Sequence, residues 1–509
     1  MVRNVCGFTM LLVAAAVTHA TAQTPLTIAD ARARALAANH DIRIQRDAVS
    51  VSEARQLGAR GAYDPLLQID LGVRHRKDPV TSLFSGAPAG EVAASQNGFA
   101  SAASVTQLFK SGAIATASAS VGRESTNNLY TLLSPAYTTS LGVELRQPLL
   151  RSRAIDPSRA ALRLTALDRD RSSAALDRRT LETMASVETA YWNLAAARRE
   201  RDVRHLSVSL AESQRADTAV RIQAQTVPAS DLAQPTAELE RRTGLLHTAV
   251  ENVARAERAL KLLILDDPSD PLWTAEIETL DAPPAPAPSL DVTSAIQTAS
   301  QNRFEFAELR AALSSTDIEG ELAKDALKPR LDLVGSYYAR GLAGSRNTNV
   351  SDVGPFPAVI PDPINGGFGT SWVTLGEGRF PDASVGVSFE LPIGRKAARG
   401  ELAAVDASKR QLNTRLAQLT NHVATEVRNA ITAVETASQR ITSARAEVSA
   451  AEVQLKAEQD RYSVGATTNF FVLERQTNLT DARLAEISAD TDYRNALVEL
   501  SRATGTLRP

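Results

Sequence analysis

No proline interrupts the chain between Pro392 and Pro509, and Gly400, Gly465 and Gly505 are the only glycines in that interval. Pro and Gly are the strongest local breakers, so so long a stretch nearly free of both points to extended helix. Its apolar residues give the period. Leu402, Val405, Leu412, Leu416, Leu419, Val423, Val427 and Ile431 fall at helical spacing, and Val434, Ile441, Val448 and Leu455 follow seven apart, the coiled-coil interval. A helix from Ala397 to Tyr462 would run roughly 100 Å at ~1.5 Å per residue. Val464-Gly465-Ala466 supplies a turn, and Val472, Leu473, Leu479, Leu484, Ile487, Tyr493, Leu497 and Leu500 carry a returning helix. The unit is a very long helical hairpin with one apolar stripe, expected to pack against copies of itself.

A second period occurs elsewhere. In Leu66–Arg74, Leu67, Ile69, Leu71 and Val73 alternate with Gln68, Asp70, Gly72 and Arg74; Leu141, Val143 and Leu145 alternate with Gly142, Glu144 and Arg146. Each is a strand with one apolar and one polar face. Leu331–Tyr338 and Ser384–Leu391 read the same way. Phe99–Leu108 and Ala113–Gly122, in a region rich in Ser, Ala, Gly and Thr, are weaker strand-like pieces. They either widen the sheet or form a hairpin outside it.

The order of elements occurs twice. Leu26-Thr27-Ile28-Ala29-Asp30-Ala31 opens a helix, with Thr27 as N-cap and Asp30 as its acidic partner. Helix, strands, a long helix from Pro157, a break at Gln225–Ser230 and a return over Asp231–Leu265 follow. Beyond a proline-rich connector, residues 281–289, the same plan resumes from Leu290. Leu26, Ile28, Ala31, Pro65, Leu67 and Ile69 match Leu290, Val292, Ala295, Pro329, Leu331 and Leu333 at one constant offset, and Pro148 and Arg151 match Pro392 and Arg395 at another. The expected organisation is residues 1–22 as signal peptide, 23–280 as a first repeat, the linker, and 290–509 as a second repeat.

The leading segment fixes the compartment. Arg3, the apolar Gly7–Val17 and the small Ala20-Thr21-Ala22 make a secretory signal. Cys6, the only cysteine, falls within it, so no disulfide or thiolate chemistry is expected in the exported chain. A net charge of −2 does not mark a nucleic-acid binder. Exported strands with one apolar and one polar face suit a closed barrel, lipid outside and water inside. Four clear strands cannot close one, so the barrel is expected to be shared between chains with four or more strands from each, three protomers giving twelve strands as the smallest sensible count for an open lumen.

These residues resemble the TolC-like family of outer-membrane efflux and secretion channels. The likeness rests on Leu26-Thr-Ile-Ala-Asp-Ala with Ala35-Leu36-Ala-Ala-Asn39, on Gln147-Pro-Leu-Leu-Arg151, on Glu390-Leu-Pro-Ile-Gly394, and on Arg461-Tyr-Ser-Val-Gly465 with Val472-Leu473. It covers essentially the whole chain after the signal. The resemblance implies an α+β membrane protein: a homotrimer with a shared transmembrane β-barrel and a helical α-barrel crossing the periplasm of a Gram-negative bacterium. It also implies an iris-like closed end near the helix turns, a periplasmic adaptor and an inner-membrane pump as partners, and no cofactor or metal. Asp231 and Tyr462 stand where the family places a hydrogen-bonded latch; Thr467 replaces an arginine of a second latch. Glu474 and Phe471 occupy the constriction positions, giving either a ring of carboxylates that raise one another's pKa or an apolar ring that excludes water. Val464, Gly465 and Ala466 match the adaptor-contacting turn, whose counterpart Ala224-Gln225-Thr226 lacks the glycine.

Two rival readings make opposite demands. An enzyme would need a constellation that the six scattered histidines do not form: no His-Glu-x-x-His, nucleophile elbow or phosphate loop occurs. A periplasmic coiled-coil adaptor or scaffold without a pore would explain the helices and leave the alternating strands unexplained. Efflux of small molecules and type I protein secretion stay open within the channel reading.

Overall fold

The computed structural model describes residues 23–82, 85–280, 291–350 and 359–507. The signal peptide and the proline-rich connector lie outside the described residues. Eight strands and nine α-helices follow in order: β1 (Gln23–Leu26), α1 (Ile28–Ala38), α2 (His40–Arg60), β2 (Leu66–Pro79), β3 (Ala93–Leu108), β4 (Ile114–Thr126), β5 (Leu133–Pro148), α3 (Pro157–Gln223), α4 (Ala233–Ile264), β6 (Glu276–Thr279), α5 (Val292–Asn302), α6 (Phe304–Ala326), β7 (Arg330–Arg346), α7 (Phe368–Gly376), β8 (Phe380–Glu390), α8 (Lys396–Ser463) and α9 (Asn469–Thr504). They form two compact units. One joins Val49–Ser172 to Glu308–Arg415; the other holds the residues up to Ala48, Ser173–Ala307 and the chain from Leu416 onward. Each draws on both sides of the connector.

The first unit holds a six-stranded antiparallel sheet in the order β2-β3-β4-β5-β7-β8. Register makes it two-faced, because pairing carries each apolar position onto another. Leu67 lies opposite Val105, Val105 opposite Ala117, Ala117 opposite Val143, Val143 opposite Tyr337 and Tyr337 opposite Ala383. One position along, Gln68, Ser104, Ser118, Gly142, Tyr338 and Asp382 line up on the other face. A slip of one residue would reverse every side chain. The apolar residues of the outer strands, among them Leu67, Ile69, Leu71, Val385 and Val387, are exposed. β3 and β4, the two weaker strand-like pieces, stand inside the sheet, so they widen it from the four clear strands to six. Among the described residues β2 pairs only with β3 and β8 only with β7, leaving two open edges.

The second unit is helical. Thr27 caps α1 through a reciprocal box, its hydroxyl accepting from the Asp30 amide at 3.1 Å while the Asp30 carboxylate accepts from the Thr27 amide at 3.4 Å. β1 pairs in parallel with β6, a small sheet that the sequence reading missed. One core collects Leu26, Ile42, Met184, Val187, Tyr191, Leu194, Leu260 and Ile264. Another packs Val423, Val427, Ile431, Val434 and Ile441 of α8 against Tyr493, Ala496 and Leu500 of α9 and Ala295 and Ala299 of α5. The middle of the α8 stripe, Val423 to Ile441, is buried within its own chain, because α5 and α9 cover it. Arg303 joins Glu305 at 2.5 Å and also Glu426, and Arg502 joins Glu426 and, at 2.6 Å, Glu499, so that charged groups lock α5 and α6 to α8 and α9. These guanidiniums hold the Glu305 and Glu426 carboxyls below the usual range against the opposing effect of burial.

Candidate functional site at the turn ends of the hairpins

The sequence assigned every candidate residue to the ends of the long hairpins, and both turns are built alike. At the second, Gly465 takes φ +76°, its amide donates to the Tyr462 carbonyl at 3.1 Å, and the Ala466 amide donates to the Arg461 carbonyl at 2.9 Å. This is the Schellman closure, which favours glycine because a Cβ is penalised in the left-handed region. At the first, Gln225 takes φ +60°, its amide reaches the Ile222 carbonyl at 2.9 Å and the Thr226 amide reaches the Arg221 carbonyl at 3.0 Å. The missing glycine leaves the backbone motif intact. Val464 is 78% exposed at the second turn.

Asp231 lies in a short 3₁₀ turn, Ala229–Leu232, exposed to solvent, and accepts from the Ser230 hydroxyl at 3.3 Å. Among the described residues no hydrogen bond joins it to Tyr462, so the expected latch is not made within the chain. The Tyr462 ring instead lies beneath the Arg221 guanidinium, 4.3 Å from the centroid, and Arg221 Nε donates to Asp217 Oδ2 at 3.0 Å. The aromatic is engaged by a cation of α3, a contact worth ~0.5–1 kcal/mol at an exposed site. Thr467 donates to Glu458 Oε1 at 2.5 Å.

Phe470 and Phe471 open α9 as an edge-to-face pair with centroids 5.5 Å apart. Glu474 is exposed and, with Phe470, Glu238 and Arg241, lines a cavity of about 400 Å³ beside α4 and α9. Phe470 shares this cavity with Glu474, and Phe471 stands outside its lining.

The group that sequence reasoning missed is Arg242. It is 3% exposed, donates to Glu238 at 2.7 Å, to the Ser207 carbonyl and Gln476 Oε1 at 3.1 Å each, and to the Leu473 carbonyl at 3.4 Å. One guanidinium therefore ties α4 to α3 and α9. Glu238 also accepts from Arg241 at 2.7 Å, and these hydrogen bonds from Arg241 and then Arg242 pull its carboxyl down to about 2. The Glu238, Arg241 and Arg242 spacing is that of helix-surface ion pairs, which is the signal available; the burial of Arg242 is not visible in it. Among the described residues no cluster of His, Cys, Asp or Glu is arranged to hold a metal ion, and no helix is long and apolar enough to cross a membrane.

Residues 295–506 match the family described as outer membrane efflux protein. No curated protein is matched. Among solved structures the chain is similar to the Campylobacter jejuni CmeC outer membrane channel, at 16% identity and TM-score 0.66 over 94% of this chain and 85% of that one. It is similar to the outer membrane protein VceC of Vibrio cholerae, at 14% and 0.62 over 94% and 96%. It is also similar to the open state of the Neisseria gonorrhoeae MtrE outer membrane channel, at 17% and 0.61 over 94% and 88%. Over residues 295–506 the chain matches the outer membrane efflux protein family, and over nearly its whole length it has the fold of these outer-membrane channels.

Proposed function

We propose that this chain is the outer-membrane exit duct of an efflux system, closed by three copies into one barrel. The observation that carries this is the sheet: one face apolar across six strands, the other polar, and two edges unpaired. Hydrocarbon does not tolerate open edges, so β8 of one copy would pair with β2 of the next. Six strands from each of three copies make eighteen, above the minimum of twelve, a size that leaves a water-filled lumen. The helical hairpins would then form a periplasmic α-barrel. The sequential halves, 23–280 and 290–509, are read as two copies of one plan, supported by their shared order of helices, strands and long hairpin.

The hairpin turns are the proposed closed end. Tyr462 held by Arg221 supplies an internal tie, and the exposed Asp231 carboxylate is available to a neighbouring copy. Glu474 and Phe471 line the constriction. Val464-Gly465-Ala466, with the similarly folded Gln225 turn, offers tips to a periplasmic adaptor that delivers small molecules from an inner-membrane pump.

The test is fractionation followed by planar-bilayer recording. The full chain should be recovered from detergent-extracted outer membrane as a trimer that gives single-channel steps; recovery in the soluble periplasmic extract would remove the channel reading. Tyr462→Leu combined with Asp231→Ala should raise the conductance of the closed duct. An unchanged conductance would remove these two residues from the gate.

A further inference from the structure

α7 has its polarity reversed. In the nine-residue helix Phe368–Gly376, Ser371 is 0% and Thr374 1% exposed, whereas Phe368 is 46% and Val373 57% exposed and Trp372 is also open. A helix on a water-facing surface buries its large apolar groups; this one turns Ser371, Thr374 and Leu375 to the sheet and leaves Phe368, Trp372 and Val373 largely open. The inward hydroxyls are satisfied. Thr374 Oγ1 accepts from the Leu342 amide at 3.0 Å and also contacts the Leu342 carbonyl at 3.1 Å, serving β7 where β8 no longer pairs with it. Thr139 Oγ1 donates to the Ser371 carbonyl at 2.9 Å, and a Cβ on Gly341 would stand 1.9 Å from that carbonyl oxygen, so only glycine admits the helix here.

Thr139, Gly341 and Tyr137 all belong to the apolar face, by their register with Val121 and Ala343, and Phe368 packs edge-to-face on Tyr137 at 6.2 Å. α7 therefore lies on that face. Gly341 is eleven positions beyond Arg330, where β7 begins, or roughly 36 Å along a strand at ~3.3 Å per residue. At a tilt of ~40° this is about 28 Å of height, the far rim of an apolar band ~25 Å tall. At this level Arg123 stands between Phe99 and Tyr137 on the neighbouring strands, exposed and without an ion-pair partner among the described residues.

We propose that α7 is an interfacial anchor, its Phe368, Trp372 and Val373 seated among lipid acyl chains at the outer rim of the barrel, with Arg123 engaging anionic headgroups. The proposal rests on the barrel reading. It commits to lipid because α7 continues the apolar face, whereas a neighbouring copy would join at the β2 and β8 edges. Buried apolar area and cationic attraction to the headgroup layer are the two forces that hold interfacial helices.

The full chain is reconstituted in vesicles of phosphatidylcholine whose acyl chains carry bromine either near the carbonyl or near the methyl end. Flotation and channel recording verify insertion, and tryptophan emission is read. Quenching should be stronger with bromine near the carbonyl end, and this component should be lost in Trp372→Phe. A chain that floats and conducts, yet is quenched equally with and without Trp372, overturns the anchor and leaves the channel reading standing; a chain that does not float overturns both. With brominated phosphatidylglycerol the quenching should exceed that with phosphatidylcholine, and Arg123→Gln should abolish the excess. An excess that survives the substitution removes Arg123 from the proposal.

Discussion

The two hairpin turns solve one backbone problem with different residues. Both place a residue in the left-handed region and close the helix with the same pair of hydrogen bonds, but the first uses Gln225 and the second Gly465. A side chain in that region costs on the order of 1 kcal/mol, so the first turn holds its shape against a local penalty. What offsets it is tertiary: Arg242 binds α4 to α3 and to α9 of the other hairpin. The first turn is held by its neighbours and the second by its own glycine.

The largest test of this contrast is Arg242→Ala. It removes a buried cation and leaves the Ser207 and Leu473 carbonyls and Gln476 without their donor, and should cost about 3 kcal/mol in denaturant unfolding, with Arg241 still holding Glu238. A loss no larger than that of a surface arginine would show that the first hairpin is not tied in this way. Next, Gly465→Val puts a β-branched residue at φ +76° and should cost ~1–3 kcal/mol; an unchanged melting temperature would mean that the second turn does not need its glycine. A smaller effect belongs to acid. Glu238 has a folded pKa lowered from 4.5 to about 2, so its contribution is present above the unfolded value and is lost as pH falls from 4.5 through about 2. Because Glu238 is partly exposed, solvent screening trims that contribution. Acid unfolding of Glu238→Gln should be flatter than that of the native chain across this window. The smallest change is Gln225→Gly, which relieves the left-handed strain and should raise stability by ~0.5 kcal/mol, the relief being partly offset by glycine's greater chain entropy. A decrease would mean that the Gln225 side chain itself stabilises the first turn.

How much was legible follows from side-chain contrast. Leu67, Ile69, Leu71 and Val73 against Gln68, Asp70 and Arg74 gave a strong alternation, and Thr27 with Asp30 gave a complete cap. β3 and β4 alternate Ala with Ser and Thr, such as Ala117-Ser118-Ala119-Ser120, with too little difference in polarity to decide their place. α7 is hidden twice, by the Gly and Pro around it and by apolar groups on the side a soluble helix would make polar. The stripe of α8 was read correctly as buried, but periodicity says that a face is covered and not by what. At the second hairpin turn, the sequence singled out Tyr462 but not the cation over its ring, because Arg221 is one of many helical arginines and only folding brings it there.

The seam between β5 and β7 has a consequence for how the chain is put together. It runs from Leu133 opposite Arg346 to Pro148 opposite Asp332, and these strands come from opposite sides of the connector at residues 281–289. A cut in that connector would leave the seam's hydrogen bonds in place, so two separately synthesised polypeptides retain a long complementary border along which to recombine.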